Sequence, residues 1–263
     1  MRVAVLLKQV PDTDEVKIDE EKGVLVREGV GAIINPLDLH ALEAALDLKS
    51  SLGASVTVLS MGPVQAQGAL REALALGADE AILFCDPAFA GSDTWATARV
   101  LSAALSVTGQ YDLVLAGEKA TDGETGQVGP EVAVMSEIPF STYVSRFSVS
   151  DGSVTVRRTV EDGIETQQLP LPCLLTVLRD INEPSMPTLS GKMRARRADI
   201  SSMGVSSLGL EPLSVGLSGS PTRVVRIFYP KVTRKAEFFS GRDIDSGIGR
   251  FVEALRDRAL LGR

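Results

Sequence analysis

The feature that most constrains the fold is a regular alternation of short apolar runs and helical patterns. Residues 3–7, 54–60, 81–84 and 113–116 are stretches of strand length, apolar throughout or, at 54–60, apolar with serine and threonine. Such stretches are typical of strands buried on both faces of a parallel sheet. Segments with apolar residues at helical spacing separate these runs. This alternation predicts an α/β fold with a mostly parallel, doubly wound, Rossmann-like sheet.

The first of these helices carries clear boundary signals. Asn35 is a predicted N-cap, Pro36 occupies the first helical position, and Asp38 follows as an acidic residue in the first turn. Gly53 is expected to end the helix. Similar signals predict a second helix over residues 64–76 and a third that begins after Asp93.

The pattern changes after residue 141. Asp151-Gly152 and Asp162-Gly163 separate stretches rich in β-branched residues, which predicts an antiparallel hairpin extension, followed by a strand over residues 173–178. We expect a nucleotide-binding α/β domain at residues 1–200 and a linker with a C-terminal arm at residues 201–263. The arm contains a strand candidate at residues 224–230 and a last helix near residues 248–261 but few apolar residues, so we expect it to pack on a partner.

Composition excludes several classes of function. The chain of 263 residues has 27 Lys and Arg against 34 Asp and Glu, a net charge of −7, with no long basic segment near its start and no long apolar stretch. We therefore expect no nucleic-acid partner and no membrane span, and two cysteines within apolar runs indicate a reduced, cytoplasmic location. The only histidine, His40, lies in a helical pattern, so we expect no metal site and assign no catalytic residue.

The strongest candidate site is the segment GEKATDGETGQVGPEVA, residues 117–133, which directly follows a predicted strand. Its glycines allow close approach of backbone to a ligand, and its polar side chains offer hydrogen bonds. Two further strand-end loops, KQVPD and MGP, are expected at the same edge of the sheet. The segment has neither the GxGxxG nor the Walker A spacing, so the residues alone leave two interpretations open, a nucleotide or phosphate site and a long structural loop.

Several stretches together resemble the electron transfer flavoprotein beta subunit. They are KQVPDT, NPLDLHALEAAL, VTVLSMGP, LALGADEAIL, GSDTWATA, GEKATDGETGQVGP and TLSGKMRARRADI. The resemblance covers nearly the whole chain. It implies an adenine-nucleotide-binding α/β domain that forms a heterodimer with an alpha subunit, which carries a redox-active FAD on a mobile domain.

The resemblance and the strand-end loops together identify one set of predicted nucleotide-binding residues. The set consists of Leu6, Lys8, Asn35, Pro36, Leu37, Asp38, Met61, Gly117, Glu118, Lys119, Ala120, Thr121, Asp122, Gly123, Glu124, Thr125, Gly126, Gln127 and Val128. Two positions depart from the family pattern. Glu118-Lys119 stands where an Arg-Gln or Lys-Gln pair is usual, and Leu37 replaces an aromatic residue.

VPDT, NPLD, GETGQVGP, GKMRARRADI and GSPTRVVRIFYPKV are more similar to the electron-bifurcating group. That likeness implies a second FAD in this subunit, which takes hydride from NADH and splits the electrons between two routes. One route leads through the alpha-subunit FAD to an acyl-CoA dehydrogenase, and the other leads to ferredoxin or flavodoxin. One alternative is a conventional subunit with structural AMP, in a carrier between dehydrogenases and a quinone reductase. Another is a nucleotide-sensing module without a redox role.

The basic segment GKMRARRADI has two interpretations from its residues, a solvated face and a contact for an acidic partner. The resemblance adds that Leu189 matches the leucine of a recognition loop that docks into an apolar pocket of acyl-CoA dehydrogenases. Lys192, Met193 and Arg194 then form the surrounding anchor region.

Overall fold

The computed structural model describes residues 1–12, 17–19, 24–26, 31–225 and 238–260. The chain forms two compact units, Met1–Arg223 and Val224–Arg263. None of the helices in these ranges is long and apolar enough to cross a membrane.

In the described part of the chain, nine strands form one sheet in the order β11-β10-β9-β12-β8-β1-β6-β7-β13. Two small antiparallel pairs, β2 with β5 and β3 with β4, lie outside it. The strands are β1 Arg2–Leu6, β2 Gln9–Pro11, β3 Lys17–Asp19, β4 Val24–Val26, β5 Ala32–Ile34, β6 Ser55–Met61, β7 Glu80–Phe84, β8 Leu113–Gly117, β9 Phe140–Ser150, β10 Ser153–Val160, β11 Gly163–Pro170, β12 Cys173–Val177 and β13 Ser201–Met203.

The pairing within the sheet is parallel from β9 through β12 to β13, and antiparallel from β9 to β11. The chain first builds β1, β6 and β7 side by side, then returns to place β8 on the other side of β1. The strand order therefore reverses between β1 and β8, the position at which open α/β sheets form ligand sites.

The helices cover both faces of the sheet. They are α1 Pro36–Leu52, α2 Gln67–Leu76, α3 Thr94–Thr108, α4 Val128–Met135, α5 Leu189–Arg197 and α6 Gly216–Gly219, all in the first unit. The described residues of the second unit contain α7 Ile244–Asp257. Buried residues of α1, α2 and α5 pack with Val3 and Val5 of β1 on one face, whereas residues of α3 and α4 pack with Ala4 and Leu6 on the other. This alternation of inward-facing residues accounts for the continuous apolar runs.

The predicted α/β fold, the parallel sheet and the antiparallel extension are confirmed. The expected strands and the helix from Pro36 to the αL residue Gly53 match the structure to within about one residue. The compact unit continues past residue 200, where we expected a linker, because Ser201–Met203 pairs with β7 at the sheet edge. The last helix begins at Ile244, and the strand candidate at residues 224–230 lies largely outside the described residues.

Candidate functional site

A pocket of about 810 Å³ lies at the carboxyl ends of β1, β6, β7 and β8. It includes the point at which the strand order reverses, and its size falls in the upper part of the usual range for small-molecule sites. Most predicted nucleotide-binding residues line this pocket. They are Leu6, Lys8, Asp38, Met61, Gly117, Glu118, Lys119, Ala120, Gly123, Glu124, Thr125, Gly126, Gln127 and Val128.

The structure places five predicted residues around the pocket rather than in its wall. They are Asn35, Pro36, Leu37, Thr121 and Asp122. Asn35 is fully buried at the N-cap position of α1, yet its side chain does not cap the helix. Its Nδ2 donates to the Lys119 carbonyl at 2.9 Å, and its Oδ1 accepts from the Thr121 amide at 3.2 Å. Asn35 thus anchors the loop at residues 117–128, here called the site loop, to the start of α1.

Asp38 joins the ends of the two strands that flank the switch point. Its carboxylate accepts from the Lys8 amide at 2.8 Å and from the Gly117 amide at 3.0 Å. Burial raises the pKa of Asp38 from 3.8 to about 6, although these hydrogen bonds to the ionised form oppose the shift. The side chain is therefore both a brace for the pocket floor and a group whose charge changes in mildly acidic solution.

Gly117 permits the close approach of β8 to the first turn of α1. A Cβ atom at this position would lie 2.6 Å from the Asp38 Oδ1 atom and 2.7 Å from the Leu37 carbonyl carbon. Any side chain would therefore push helix and strand apart. The glycine at the strand end serves packing as well as access to the pocket.

The loop after β8 presents the features of an anion site. Gly126 has a φ of 65°, and α4 begins two residues later at Val128. Among the described residues, the amides of Gly126 and Val128 have no hydrogen-bond acceptor. A helix N-terminus with free amides is a natural site for phosphate oxygens.

Two lysines stand at this loop with different surroundings. Lys8 Nζ forms an ion pair with Asp122 at 2.7 Å, so its charge is already balanced. Lys119 Nζ lies 3.9 Å from Glu118 Oε1 and is partly exposed, which leaves it better placed to meet a phosphate. The departure from the family pattern at Glu118-Lys119 therefore supplies a cation, whose charge the neighbouring carboxylate partly offsets.

Sequence reasoning missed one wall of the pocket. The connection from β7 to α3 contributes Cys85, Asp86, Pro87 and residues 89–94, and α3 adds Thr97 and Leu101. Asp93 was recognised only as a helix cap, and its carboxylate does accept from the Ala96 amide at 3.0 Å. The signal that could have revealed this wall is the position of the connection, which also follows the carboxyl end of a strand in the parallel sheet.

The residues present fit an adenine nucleotide. The anion-binding loop lies on one side of the pocket, and apolar side chains of Leu6, Met61 and Phe89 line other parts of it. Such a combination suits a ligand with charged phosphates and flat, largely apolar rings. The wall formed by residues 85–94 extends the pocket beyond the loops that the sequence indicated.

The predicted docking residues lie on α5, outside the pocket. Leu189 and Met193 are one helical turn apart and are 77% and 52% exposed. Lys192 is exposed, whereas Arg194 Nη2 donates to the Leu74 carbonyl at 3.0 Å and so ties α5 to α2. The exposed apolar pair is thus held on a fixed helix and surrounded by positive charge.

The remaining residues with reactive side chains occupy structural surroundings. His40 is buried, and its Nδ1 lies 3.0 Å from Asn182 Oδ1. Cys173 is buried within β12, and burial raises the pKa of its thiol to about 11. In the described ranges, no cluster of three or more histidine, cysteine or acidic side chains could hold a metal ion.

Comparisons with known proteins identify the family of the chain. The Electron transfer flavoprotein domain matches residues 22–208. The chain is 44% identical to the electron transfer flavoprotein subunit beta of Thermoanaerobacterium thermosaccharolyticum and 44% identical to the caffeyl-CoA reductase-Etf complex subunit CarD of Acetobacterium woodii. Each match covers 99% of this chain and 100% of the relative.

A third relative extends the range of named complexes. The acryloyl-CoA reductase electron transfer subunit gamma of Anaerotignum propionicum is 39% identical, over 99% of this chain and 98% of its own length. Together with the domain match and the strand-end pocket, these full-length likenesses show that the chain belongs to the electron transfer flavoprotein family, as a beta subunit.

Proposed function

We propose that this chain is the FAD-binding beta subunit of an electron-bifurcating electron transfer flavoprotein that works in the cytoplasm. When bound, FAD would supply hydride acceptance from NADH and the division of the two electrons between the alpha-subunit FAD and a low-potential acceptor such as ferredoxin or flavodoxin. The alpha-subunit FAD would pass its electrons to an acyl-CoA dehydrogenase.

The observation that favours FAD over AMP is the size of the pocket, which extends to the wall formed by residues 85–94. The loops after β1, β6 and β8, which the resemblance assigns to nucleotide binding, line only part of the pocket. The wall formed by residues 85–94 adds further lined volume, within a total of about 810 Å³. The named complexes of two relatives, with caffeyl-CoA reductase and acryloyl-CoA reductase, also support a role beside an acyl-CoA enzyme.

The chain's own residues would bind and orient the cofactor rather than react with substrate. The free amides of Gly126 and Val128 and the ammonium group of Lys119 would hold phosphate oxygens. Asp38 and Asn35 would keep the strand ends and the site loop in place through their hydrogen bonds. We assign no acid or base to the chain.

The proposal includes two protein partners with different binding surfaces. Residues 201–263 would contribute the contact with the alpha subunit, since α7 exposes Ile244, Ile248 and Phe251 at helical spacing. Leu189 and Met193, with Lys192 and Arg194 beside them, would dock on the dehydrogenase.

Cofactor content tests the proposal directly. The chain would be co-expressed with its alpha subunit, and the purified complex would be denatured so that released FAD and AMP can be counted by chromatography. Two FAD and no AMP per heterodimer are expected, together with NADH-dependent reduction of the bound flavin. One FAD and one AMP would instead assign the conventional carrier function. Stable isolation as a lone chain or homodimer without flavin would favour a nucleotide-sensing module.

A further inference from the structure

Asp93 connects the pocket wall to the last residues of the first unit. One of its carboxylate oxygens caps α3 through the Ala96 amide. The other oxygen accepts from both the amide and the hydroxyl of Thr222, at 2.9 and 2.8 Å. The Asp93 amide in turn donates to the Ser220 hydroxyl at 2.8 Å. Asp93 lines the pocket, and Thr222 lies two residues before Val224, where the second unit begins.

The segment leading to Thr222 follows the pocket wall closely. Asp86 accepts from the Val205 amide at 2.9 Å, and the Leu217 amide donates to the Ala90 carbonyl at 2.9 Å. Gly216 lies so close to the Ala88 carbonyl that an added Cβ would overlap it. The wall of the pocket and the segment that ends at Arg223 therefore form one packed layer.

The same wall is tied to the opposite side of the pocket. The Thr94 hydroxyl lies 3.3 Å from Gln127 Oε1 and 3.2 Å from Glu131 Oε1. Gln127 belongs to the site loop, and Glu131 lies in the first turn of α4. Hydrogen bonds of the two adjacent residues Thr94 and Asp93 thus connect the site loop to Thr222.

We propose that Asp93 is a positioning residue that couples binding of a nucleotide in the pocket to the attachment of residues 220–223 to the pocket wall. A nucleotide that contacts both the site loop and the residue 85–94 wall holds Asp93 in place, and Asp93 then holds Thr222. By thermodynamic reciprocity, release of residues 220–223 from the pocket wall weakens nucleotide binding by the same factor. This inference rests on the proposed function, because it requires a nucleotide in the pocket.

Two substitutions separate this coupling from a purely structural role. Asp93→Asn retains an oxygen for the Ala96 amide, and asparagine is as good an N-cap as aspartate, but it sets an amino group against the Thr222 amide. Thr222→Val removes only the hydroxyl contact. Thr166→Val, at an exposed position on β11, is the matched control.

The test measures tryptic cleavage after the exposed Arg223 and the affinity for FAD in the full-length chain, with mass spectrometry to follow the fragment 1–223. Saturating FAD is expected to slow this cleavage in the wild type and in Thr166→Val by at least about fivefold, the lower end of ordinary coupling between sites. In Asp93→Asn this protection is lost and FAD binds more weakly by the same factor. Thr222→Val gives a smaller change in the same direction.

Three results would overturn the inference and are distinguishable from one another. If the wild type binds FAD but cleavage after Arg223 is equally fast with and without it, the coupling is absent while the proposed function stands. If the wild type binds neither FAD nor AMP, both fail together. Equal affinity and equal protection in the wild type and Asp93→Asn would show that another group connects the two places.

Discussion

At the scale of single residues, the Asp38 carboxylate is the clearest case of one side chain with two consequences. It joins β1 to β8 through the amides of Lys8 and Gly117, and it is buried where an ionised group is poorly solvated. Its pKa of about 6, against an ordinary value of 3.8, makes the neutral form more favourable in the folded state. The free-energy cost of burying the Asp38 carboxyl group therefore depends on pH.

The sign of this dependence follows from proton linkage. Because folding raises the pKa of Asp38 from 3.8 to about 6, its contribution favours the folded state at low pH and is lost as the pH rises through 6. Between pH 4 and pH 7.5 the free energy of unfolding of the wild type should fall by about 2 kcal/mol more than that of Asp38→Asn. Urea unfolding at both pH values measures this difference. Parallel pH profiles for the two proteins would contradict the assignment.

Gly117 at the end of β8 and Gly123 in the site loop provide a matched pair for a packing prediction. A Cβ at Gly117 would overlap Asp38 and Leu37, whereas a Cβ at Gly123 would meet no atom within 4 Å. Gly117→Ala should lower the free energy of unfolding by about 1–3 kcal/mol, and Gly123→Ala should change it by less than about 0.5 kcal/mol. Denaturant unfolding of both variants checks this, and equal effects would show that β8 does not depend on its close approach to α1.

At the scale of secondary-structure elements, α5 presents binding groups without taking part in the pocket. The Thr188 hydroxyl caps the helix through the Gly191 amide at 3.0 Å, and Gly191 packs against the Ala75 carbonyl of α2. These contacts keep α5 in place, while Leu189 and Met193 remain exposed. A fixed helix with an exposed apolar pair loses little conformational entropy when a partner binds.

Leu189→Ala should therefore weaken the partner contact alone. A buried leucine contributes roughly 1.5–3 kcal/mol, so we expect the concentration of dehydrogenase that gives half-maximal electron transfer to rise about tenfold or more. FAD and AMP content should stay unchanged. Leu52→Ala is the control, because Leu52 is also exposed, at 54% against 77%, but lies at the end of α1. Equal behaviour of the two variants would remove α5 from the docking surface.

The elements also show which parts of the fold and site a sequence can reveal. Strands β1, β6, β7 and β8 are buried on both faces, so their apolar runs predicted them well. Strand β13 has only three residues, of which two are serines, and pairs on one side, so no periodicity marks it. The loop at residues 117–128 is indicated by its glycines, whereas residues 85–94 contain a single glycine, and only their position after β7 marks them as part of the pocket.

At the scale of the whole molecule, the two units differ in how well they bury apolar groups. Both large hydrophobic clusters lie within residues 3–215. In the second unit, α7 has Ile244, Ile248 and Phe251 at helical spacing, with exposures of 50%, 57% and 64%. An amphipathic helix of this kind needs another surface to cover its apolar side.

Removal of the second unit should accordingly separate folding from assembly. A chain that ends at Arg223 should keep a cooperative thermal transition, since the core is intact, and its far-UV circular dichroism should lose only the contribution of α7. Its affinity for the alpha subunit should fall at least about 100-fold, as expected for the loss of several large apolar contacts. Phe251→Asp in the full-length chain should reproduce part of this loss. Unchanged heterodimer formation by both variants would place the interface elsewhere.

The order of strands in the sheet also limits the order in which the strands can pair during folding. Strand β12 is made after the hairpin strands β9, β10 and β11, yet it lies between β8 and β9 and pairs with both. Pairings of this kind join residues far apart in sequence and form late and slowly. During translation the sheet must remain in two pieces, a parallel half and an antiparallel hairpin, until residues 173–177 have left the ribosome. The C-terminal arm, made last, emerges only after the strand that joins them.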